Sequence, residues 1–176
     1  MFINATFTGV TKDGSRARPY TTLVAAMAAK ISEGSTTTIV FRLAPGTYTG
    51  ACVYNMTTAS QSFEIRGSGP DSCFLQAGTS FANGSSSDLL SFRDFVAIGL
   101  HDCCLRYCKY GFLPHTCDKV HVSNCRFVNC GSDGTVNRHD LSATKTEQAA
   151  FWASASTSSG GACRIRSVGE VQVCDC

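Results

Sequence analysis

Apolar side chains recur along the middle of the chain in a pattern that repeats after 22 residues. The positions that match one another carry the same class of side chain and end on an Asp-Cys or Asn-Cys pair. They are Leu90, Phe92, Phe95, Ile98, Leu100, Asp102 and Cys103 in the first copy, and Phe112, Pro114, Cys117, Val120, Val122, Asn124 and Cys125 in the second. A fixed internal period indicates units that bury their apolar faces against one another.

A third copy lies 51 residues after the second. Its matching residues are Cys163, Ile165, Val168, Val171, Val173, Asp175 and Cys176. Residues 131–161 therefore form a polar insertion, which carries one apolar island with Phe151 and the single tryptophan, Trp152. Insertions in repeat proteins lie on one side of the stack and often make its functional contacts. We expect Phe151 and Trp152 to contact another chain.

Apolar residues alternate with other residues inside each copy, as in Ile98-x-Leu100 and Val120-x-Val122, which places them on one face of a strand. The spacing predicts a coil of short strands, each paired in parallel with its equivalent one turn later, ~4.8 Å away. The predicted fold is an all-β, short right-handed parallel β-helix of about four turns. Leucine-rich repeats share the period, but the copies lack their leucine and asparagine signature.

One α-helix is predicted before the first strand, as a cap for the open end of the stack. Thr21 or Thr22 is its candidate N-cap, and Gly34 its candidate end. Its apolar stripe is Leu23, Ala26, Met27 and Ile31. We predict a single domain with four consecutive parts. Residues 1–36 form an N-terminal strand, a turn and the cap helix, residues 37–130 the stacked strands, residues 131–161 the insertion, and residues 162–176 the final turn of the coil.

The order of motifs between residues 8 and 50 carries a family resemblance. An Asp13-Gly14-Ser15 turn, a Pro19-Tyr20-Thr21 helix start, an alanine-rich helix and a strand precede Ala44-Pro45-Gly46-Thr47-Tyr48. This order resembles the opening of the pectin-lyase-like right-handed parallel β-helix superfamily, and in character the short β-helix proteins of phage virions and tailspikes. The resemblance implies polysaccharide lyases, glycoside hydrolases or virion proteins, the last commonly trimeric. It does not select among these activities.

Charge and hydropathy argue against two classes of partner. The net charge is +2 with scattered Lys and Arg, so no basic stripe for nucleic acid is expected. No apolar run approaches the ~20 residues that span a bilayer, and residues 1–10 lack the features of a signal peptide. We therefore expect no membrane partner, and synthesis in a host cytoplasm without export.

The eleven cysteines are expected to be mainly reduced and buried, because Cys103 and Cys125, and also Cys108 and Cys130, are one repeat apart and would stack inside the coil. A strained disulfide between stacked neighbours is an alternative. Zinc bound by His101, Cys103, Cys104 and Cys108 is another, although no paired C-x-x-C motif is present. No metal or cofactor is predicted.

Two carboxylates are the candidate catalytic residues. Asp102 and Asp175 occupy the same position in different copies, with Asn124 between them. Two turns apart they would stand ~9.6 Å from each other, near the upper end of the spacing in inverting glycosidases. The favoured alternative is a structural ladder, in which Asp and Asn at matching bends bond to one another and to the local backbone. His101 is predicted to point outward into solvent.

We predict a structural protein of a bacteriophage virion, either a capsid decoration (cement) protein or a tail-associated protein. This interpretation leans against enzymatic activity. A polysaccharide-cleaving lyase or hydrolase, including a fragment of a tailspike depolymerase, is the first alternative, and a noncatalytic carbohydrate-binding module is the second. The expected partners are two further copies in a homotrimer, a capsid protein lattice and a surface glycan.

Overall fold

The computed structural model describes residues 1–31, 37–55, 61–80, 88–130, 161–163 and 166–174. These residues form mostly β-strands and one α-helix, with parallel sheets that curl into a half-barrel. The prediction of parallel strands in a mainly β protein is confirmed. The elements are β1 (Phe2–Ile3), α1 (Leu23–Ile31), β2 (Ile39–Leu43), β3 (Gly46–Thr49), β4 (Cys52–Asn55), β5 (Ser62–Arg66), β6 (Cys73–Gln76), β7 (Leu90–Arg93), β8 (Ala97–His101), β9 (Cys104–Cys108), β10 (Tyr110–Ser123), β11 (Arg126–Cys130), β12 (Gly161–Cys163) and β13 (Arg166–Cys174).

Helix α1 begins and buries its apolar face as the sequence predicts. The hydroxyl of Thr22 accepts a hydrogen bond from the backbone N–H of Ala25 at 3.2 Å, which is the expected N-cap contact. Its buried residues are Leu23, Ala26 and Met27. The predicted end at Gly34 lies outside the described residues. Among those residues no helix has the length and apolar character needed to cross a membrane.

Strand pairing reproduces both offsets of the sequence repeat. In the second half of β10, Val120 lies opposite Ile98 of β8, which is the 22-residue offset. Val120 also lies opposite Val171 of β13, which is the 51-residue offset. All of these pairs are parallel. The repeat in the sequence is therefore a repeat in hydrogen bonding.

The strands fall into three parallel ladders, and the chain passes through them in the same order each time. The first ladder contains β2, β5, β8, the second half of β10 and β13, with β1 at its edge. The second contains β3, β6, β9 and β11. The third contains β4, β7, the first half of β10 and β12. Because the 14-residue β10 belongs to two ladders, it joins the first and third into one sheet.

The long β10 differs from the separate short strands that the repeat predicts. In the preceding pass the same path is divided into β7 and β8, with Asp94 at a positive φ of 62° between them. The equivalent bend in β10 is at Thr116, with a φ of 55°. The backbone therefore bends at the same place in both passes, but β10 continues through the bend as one strand, whereas β7 ends before it and β8 begins after it.

The core is a stack of apolar side chains enclosed by the three ladders. Phe41, Ile65, Leu100 and Val122 follow one another in register along the first ladder and are all buried. Phenylalanine rings cross the interior edge to face, with centroids 4.7 Å apart for Phe63 and Phe92. The inward-facing residues of the ladders are apolar and stack on those of the next pass, so they form one continuous core.

The cysteines belong mostly to this core. The structure describes the side chains of nine cysteines; all nine are free thiols and eight of them are buried. The buried set is Cys52, Cys73, Cys103, Cys104, Cys108, Cys117, Cys125 and Cys130. Their burial confirms that part of the prediction, and Cys108 lies directly opposite Cys130 as the stacking model requires.

Candidate functional site

A groove of about 190 Å³ lies on the outward side of the first ladder. Its floor is built from residues that face away from the core on four neighbouring strands, β5, β8, β10 and β13. One row in register across these strands is Glu64, Gly99, His121 and Gln172. A second row, Ala97, Lys119 and Glu170, borders it on one side. The groove is the candidate functional site because it gathers ionisable side chains from separate passes of the chain.

Gly99 creates the space that shapes this groove. A Cβ atom added there would lie 2.7 Å from Nε2 of His101 and 2.9 Å from Cγ of Glu64. These separations are shorter than side-chain contacts allow, so any larger residue would have to displace the imidazole ring. The ring of His101 occupies the space that a side chain at position 99 would fill.

His101 is only 8% exposed, so the prediction of a solvent-facing ring is wrong. The alternation does turn it outward, but the missing side chain of Gly99 lets the ring fold down against the sheet. Its Nδ1 lies 2.7 Å from the hydroxyl of Ser123 on the next strand. The ring also packs edge to face against His121, with centroids 4.9 Å apart.

The environment of His101 favours its neutral form. Burial is the main cause of a lowered pKa for this imidazole, and the nearby His121 and Arg66 lower the pKa further. Glu64 and Asp102 act in the opposite direction and only partly compensate. At neutral pH His101 therefore presents an uncharged ring whose Nδ1 is engaged with Ser123.

The groove carboxylates both have basic partners. Oε2 of Glu64 is 2.6 Å from a terminal nitrogen of Arg66. Glu170 pairs with Lys119 at 3.4 Å, and the amide of Gln172 donates to its other oxygen at 3.0 Å. Both carboxylates are thus held in polar contacts with neighbouring side chains of the groove, an arrangement that suits the binding of a polar ligand.

Asp102, a candidate catalytic residue, lies at a bend next to this groove. The amide of Asn124 donates to Oδ1 of Asp102 at 2.7 Å, and both residues have positive φ, 56° for Asp102 and 47° for Asn124. This is the contact that the structural-ladder interpretation requires. Asp175 lies outside the described residues, so the spacing of the Asp102 and Asp175 pair stays a prediction.

Two other candidate sites have different outcomes. In the described part of the chain, no group of three or more His, Cys, Asp or Glu is arranged to hold a metal ion. Within the zinc alternative, His101 packs on His121 and Ser123, whereas the thiols of Cys103 and Cys108 are in the core. Phe151 and Trp152, the predicted contact residues, lie outside the described residues.

Sequence reasoning missed Glu64, Gly99, His121 and Gln172 as members of one row. The signal was available in the 22-residue offset, which aligns Gly99 with His121. The 51-residue offset likewise aligns His121 with Gln172, whereas Glu64 lies in the pass before the first copy, where only the strand register brings it in line.

Comparison with known proteins adds no relative: no protein-family model, curated protein sequence or solved structure matches this chain.

Proposed function

We propose that the chain is a right-handed parallel β-helix of about four turns, with α1 covering its first turn. The support is the order of the ladders, since each pass visits the first, second and third ladder in turn. Right-handedness follows from the strong preference of crossovers between parallel strands for that hand. The motif order of residues 8–50 agrees with this architecture.

We propose that this β-helix is a structural protein of a bacteriophage virion, as a capsid decoration or tail-associated protein. The observation that carries the proposal is the pairing of the carboxylates on and beside the groove. Glu64 and Glu170 have cationic partners, and Asp102 accepts from Asn124. A glycosidase needs two carboxyl groups no more than about 9.5 Å apart, whereas Glu64 on β5 and Glu170 on β13 stand on strands three spacings apart, ~14 Å. The regular stack suits a rigid scaffold instead.

We further propose that the virion form is a homotrimer seated on a capsid protein lattice. Strand β13 is an edge of the first ladder, and in the described part of the chain β10 is its only strand partner. Open edges of this kind attract a further chain, and cyclic symmetry is the usual way in which identical chains share such surfaces. Phe151 and Trp152 in the insertion are the proposed anchors of that contact.

Quantitative mass spectrometry of purified virions tests this proposal. The particles are taken from a lysate of cells that carry the coding phage, and peptides of this chain are counted against the major capsid protein. A fixed copy number in multiples of three, retained through density-gradient purification, is expected. Recovery of the chain only in the soluble fraction would contradict the virion role.

Native mass spectrometry tests the assembly separately. Three chains are expected for the purified protein, and Trp152→Ala should weaken the assembly because it removes the largest apolar anchor of the insertion. A stable monomer at micromolar concentration would contradict the trimer while leaving the virion role open to the first measurement.

The groove supports a second candidate function, noncatalytic binding of a surface glycan. Its polar row of His121, Gln172 and Glu64 lies beside the apolar residues Ala97 and Val120, a combination that suits the hydroxyl groups and apolar faces of sugars. Calorimetry with bacterial envelope glycans should show binding that His121→Ala and Gln172→Ala weaken. Thr47→Ala, exposed on β3 of the second ladder, is the matched control. Release of unsaturated or reducing sugars would instead favour the enzyme.

A further inference from the structure

Two buried thiols meet between β9 and β11. Cys108 and Cys130 are the last residues of these strands and lie directly opposite each other in parallel register. The Cys108 thiol donates to Sγ of Cys130 at 3.1 Å. Adjacent parallel strands place Cα atoms ~4.8 Å apart, inside the range of about 4.4–6.8 Å that disulfides span. The sulfurs need to approach by only about 1 Å to reach bonding distance.

The two sulfurs of this pair differ in access. In the described part of the chain, β11 is the edge of the four-stranded second ladder, and Cys130 is 8% exposed while Cys108 is fully buried. The remaining contacts of the Cys130 thiol are long, 3.6 Å to the carbonyl oxygens of Leu105 and Val128. The hydrogen bond to Cys130 and burial both raise the pKa of Cys108. Cys130 is therefore the sulfur that a reagent from solution reaches first.

A second thiol pair provides an internal comparison. Cys73 and Cys103 are close enough to shift each other's pKa, which is lowered for Cys73 and raised for Cys103, and both are fully buried. Strand β6, which begins at Cys73, lies between β3 and β9, so no sheet edge opens towards this pair. Phe74 pairs with Cys104, so Cys73 and Cys103 are the next residues in the same register, although Cys103 lies just before β9 begins. Both pairs therefore bring two thiols together on neighbouring passes, and the difference between them is that only Cys108 and Cys130 lie beside an edge strand.

We propose that Cys108 and Cys130 are an oxidative modification site, where a reversible disulfide forms by exchange with a low-molecular-weight disulfide. The Cys130 thiolate attacks one sulfur of the reagent, forming a mixed disulfide and releasing one thiol. The Cys108 thiolate then attacks the Cys130 sulfur and releases the second thiol. Two protein thiols are oxidised, one external disulfide is reduced to two thiols, and the two protons of the protein thiols end on those products.

The bond closes a covalent loop between residues 22 positions apart and joins two successive passes of the chain at the edge of the second ladder. Such a loop constrains the unfolded chain and raises stability. The site stays reduced in a cytosol and becomes oxidised when the protein enters an oxidising compartment. This inference does not depend on the proposed function.

Trypsin separates the relevant cysteines, which makes the test direct. Cleavage after Arg and Lys places Cys108 in peptide 107–109, Cys130 in peptide 127–138, Cys73 in peptide 67–93 and Cys103 in peptide 94–106. The full-length reduced protein is incubated with oxidised glutathione, alkylated, digested without reduction and analysed by mass spectrometry. We expect peptides 107–109 and 127–138 to appear joined, with the loss of two hydrogens. The joined species should form before any Cys73 to Cys103 link.

The urea midpoint should rise with cross-linking and return after dithiothreitol. Cys130→Ser, at the edge of the sheet, should abolish both changes, whereas Cys73→Ala should retain them. If either variant fails to fold, the peptide map of the unmodified protein decides alone. Alkylation of both Cys108 and Cys130 after oxidation, a lasting glutathione adduct on Cys130, or earlier linkage of Cys73 to Cys103 would overturn the proposal.

Discussion

The two sides of the first ladder follow different rules. On the inward side, Ile65, Leu100 and Val122 occupy successive passes in register and all are buried aliphatic residues. On the outward side, the row one residue away changes its chemistry at every pass, from Glu64 to Gly99 to His121. The inward side repeats because each residue must pack on its copies above and below. Outward-facing residues do not need to pack in this way, and the ionisable side chains of the groove lie on that side.

The largest effect is expected at the inward side. Leu100 is fully buried between Ile65 and Val122, so Leu100→Ala should lower the free energy of unfolding by about 2–5 kcal/mol. The outward His121→Ala is the matched variant and should change it by roughly 0.5 kcal/mol or less. Urea denaturation measures both. Equal losses from the two substitutions would remove the distinction between the sides.

A second prediction concerns Gly99, an outward-facing position where the structure leaves no room for a side chain. Gly99→Ala should destabilise the protein by about 1–3 kcal/mol, because the new Cβ collides with Nε2 of His101. Displacement of the ring should also return the pKa of His101 towards its ordinary value, which NMR titration of the imidazole detects. The control is Gly99→Ala in a His101→Ala background, where the loss should be smaller. An equal loss in both backgrounds would place the strain elsewhere.

The bend beside the groove should show a smaller effect. Asn124→Ala removes the hydrogen bond to Asp102 and leaves a residue with a Cβ but no local polar partner at a φ of 47°. A loss of about 1–2 kcal/mol is expected. Asn124→Gly loses the same hydrogen bond but relieves the backbone, so it should cost less. A larger loss for glycine than for alanine in thermal unfolding would contradict this account of the bend.

The smallest expected effect is a pH dependence from His101. Its folded pKa is lowered by burial, then by His121 and Arg66. The unfolded state therefore binds the proton more readily between the folded pKa and the ordinary value of about 6.5. The contribution of His101 to stability is fully present above that ordinary value and is lost as pH falls through the folded pKa. Urea midpoints from pH 8 to pH 5 measure it, and His101→Gln should flatten the decline in that window.

If the urea midpoint of His101→Gln falls between pH 8 and pH 5 as much as that of the unmodified protein, other groups cause the pH dependence. The groups that face His101 or lie near it are Glu64, Arg66, Asp102, His121, Lys119 and Glu170. His121→Gln is the comparison variant, because that ring is exposed and its removal also takes away one cause of the lowered pKa.

The predictable part of the structure is the part that repeats. Alternation at Ile98 and Leu100, carried forward by 22 and 51 residues, predicts the register with β10 and β13, and the structure confirms it. Strand β4 lies before the first copy of the repeat, where the passes have unequal lengths, so neither offset predicts its position or its pairing with β7. The groove was missed for a related reason. Burial of His101 depends on the absence of a side chain at Gly99, and a pattern of side chains does not report such a gap.

The central claim is that the chain stacks in parallel with offsets of 22 and 51 residues. NMR measurement of short proton distances between backbone amides and α-protons of neighbouring strands tests it most directly. The account predicts contacts between residues 97–101 and 119–123, and between 119–123 and 170–174, with residue numbers increasing together along each pair. Contacts in which one number rises while the other falls, or no contacts at these offsets, would contradict the parallel stack.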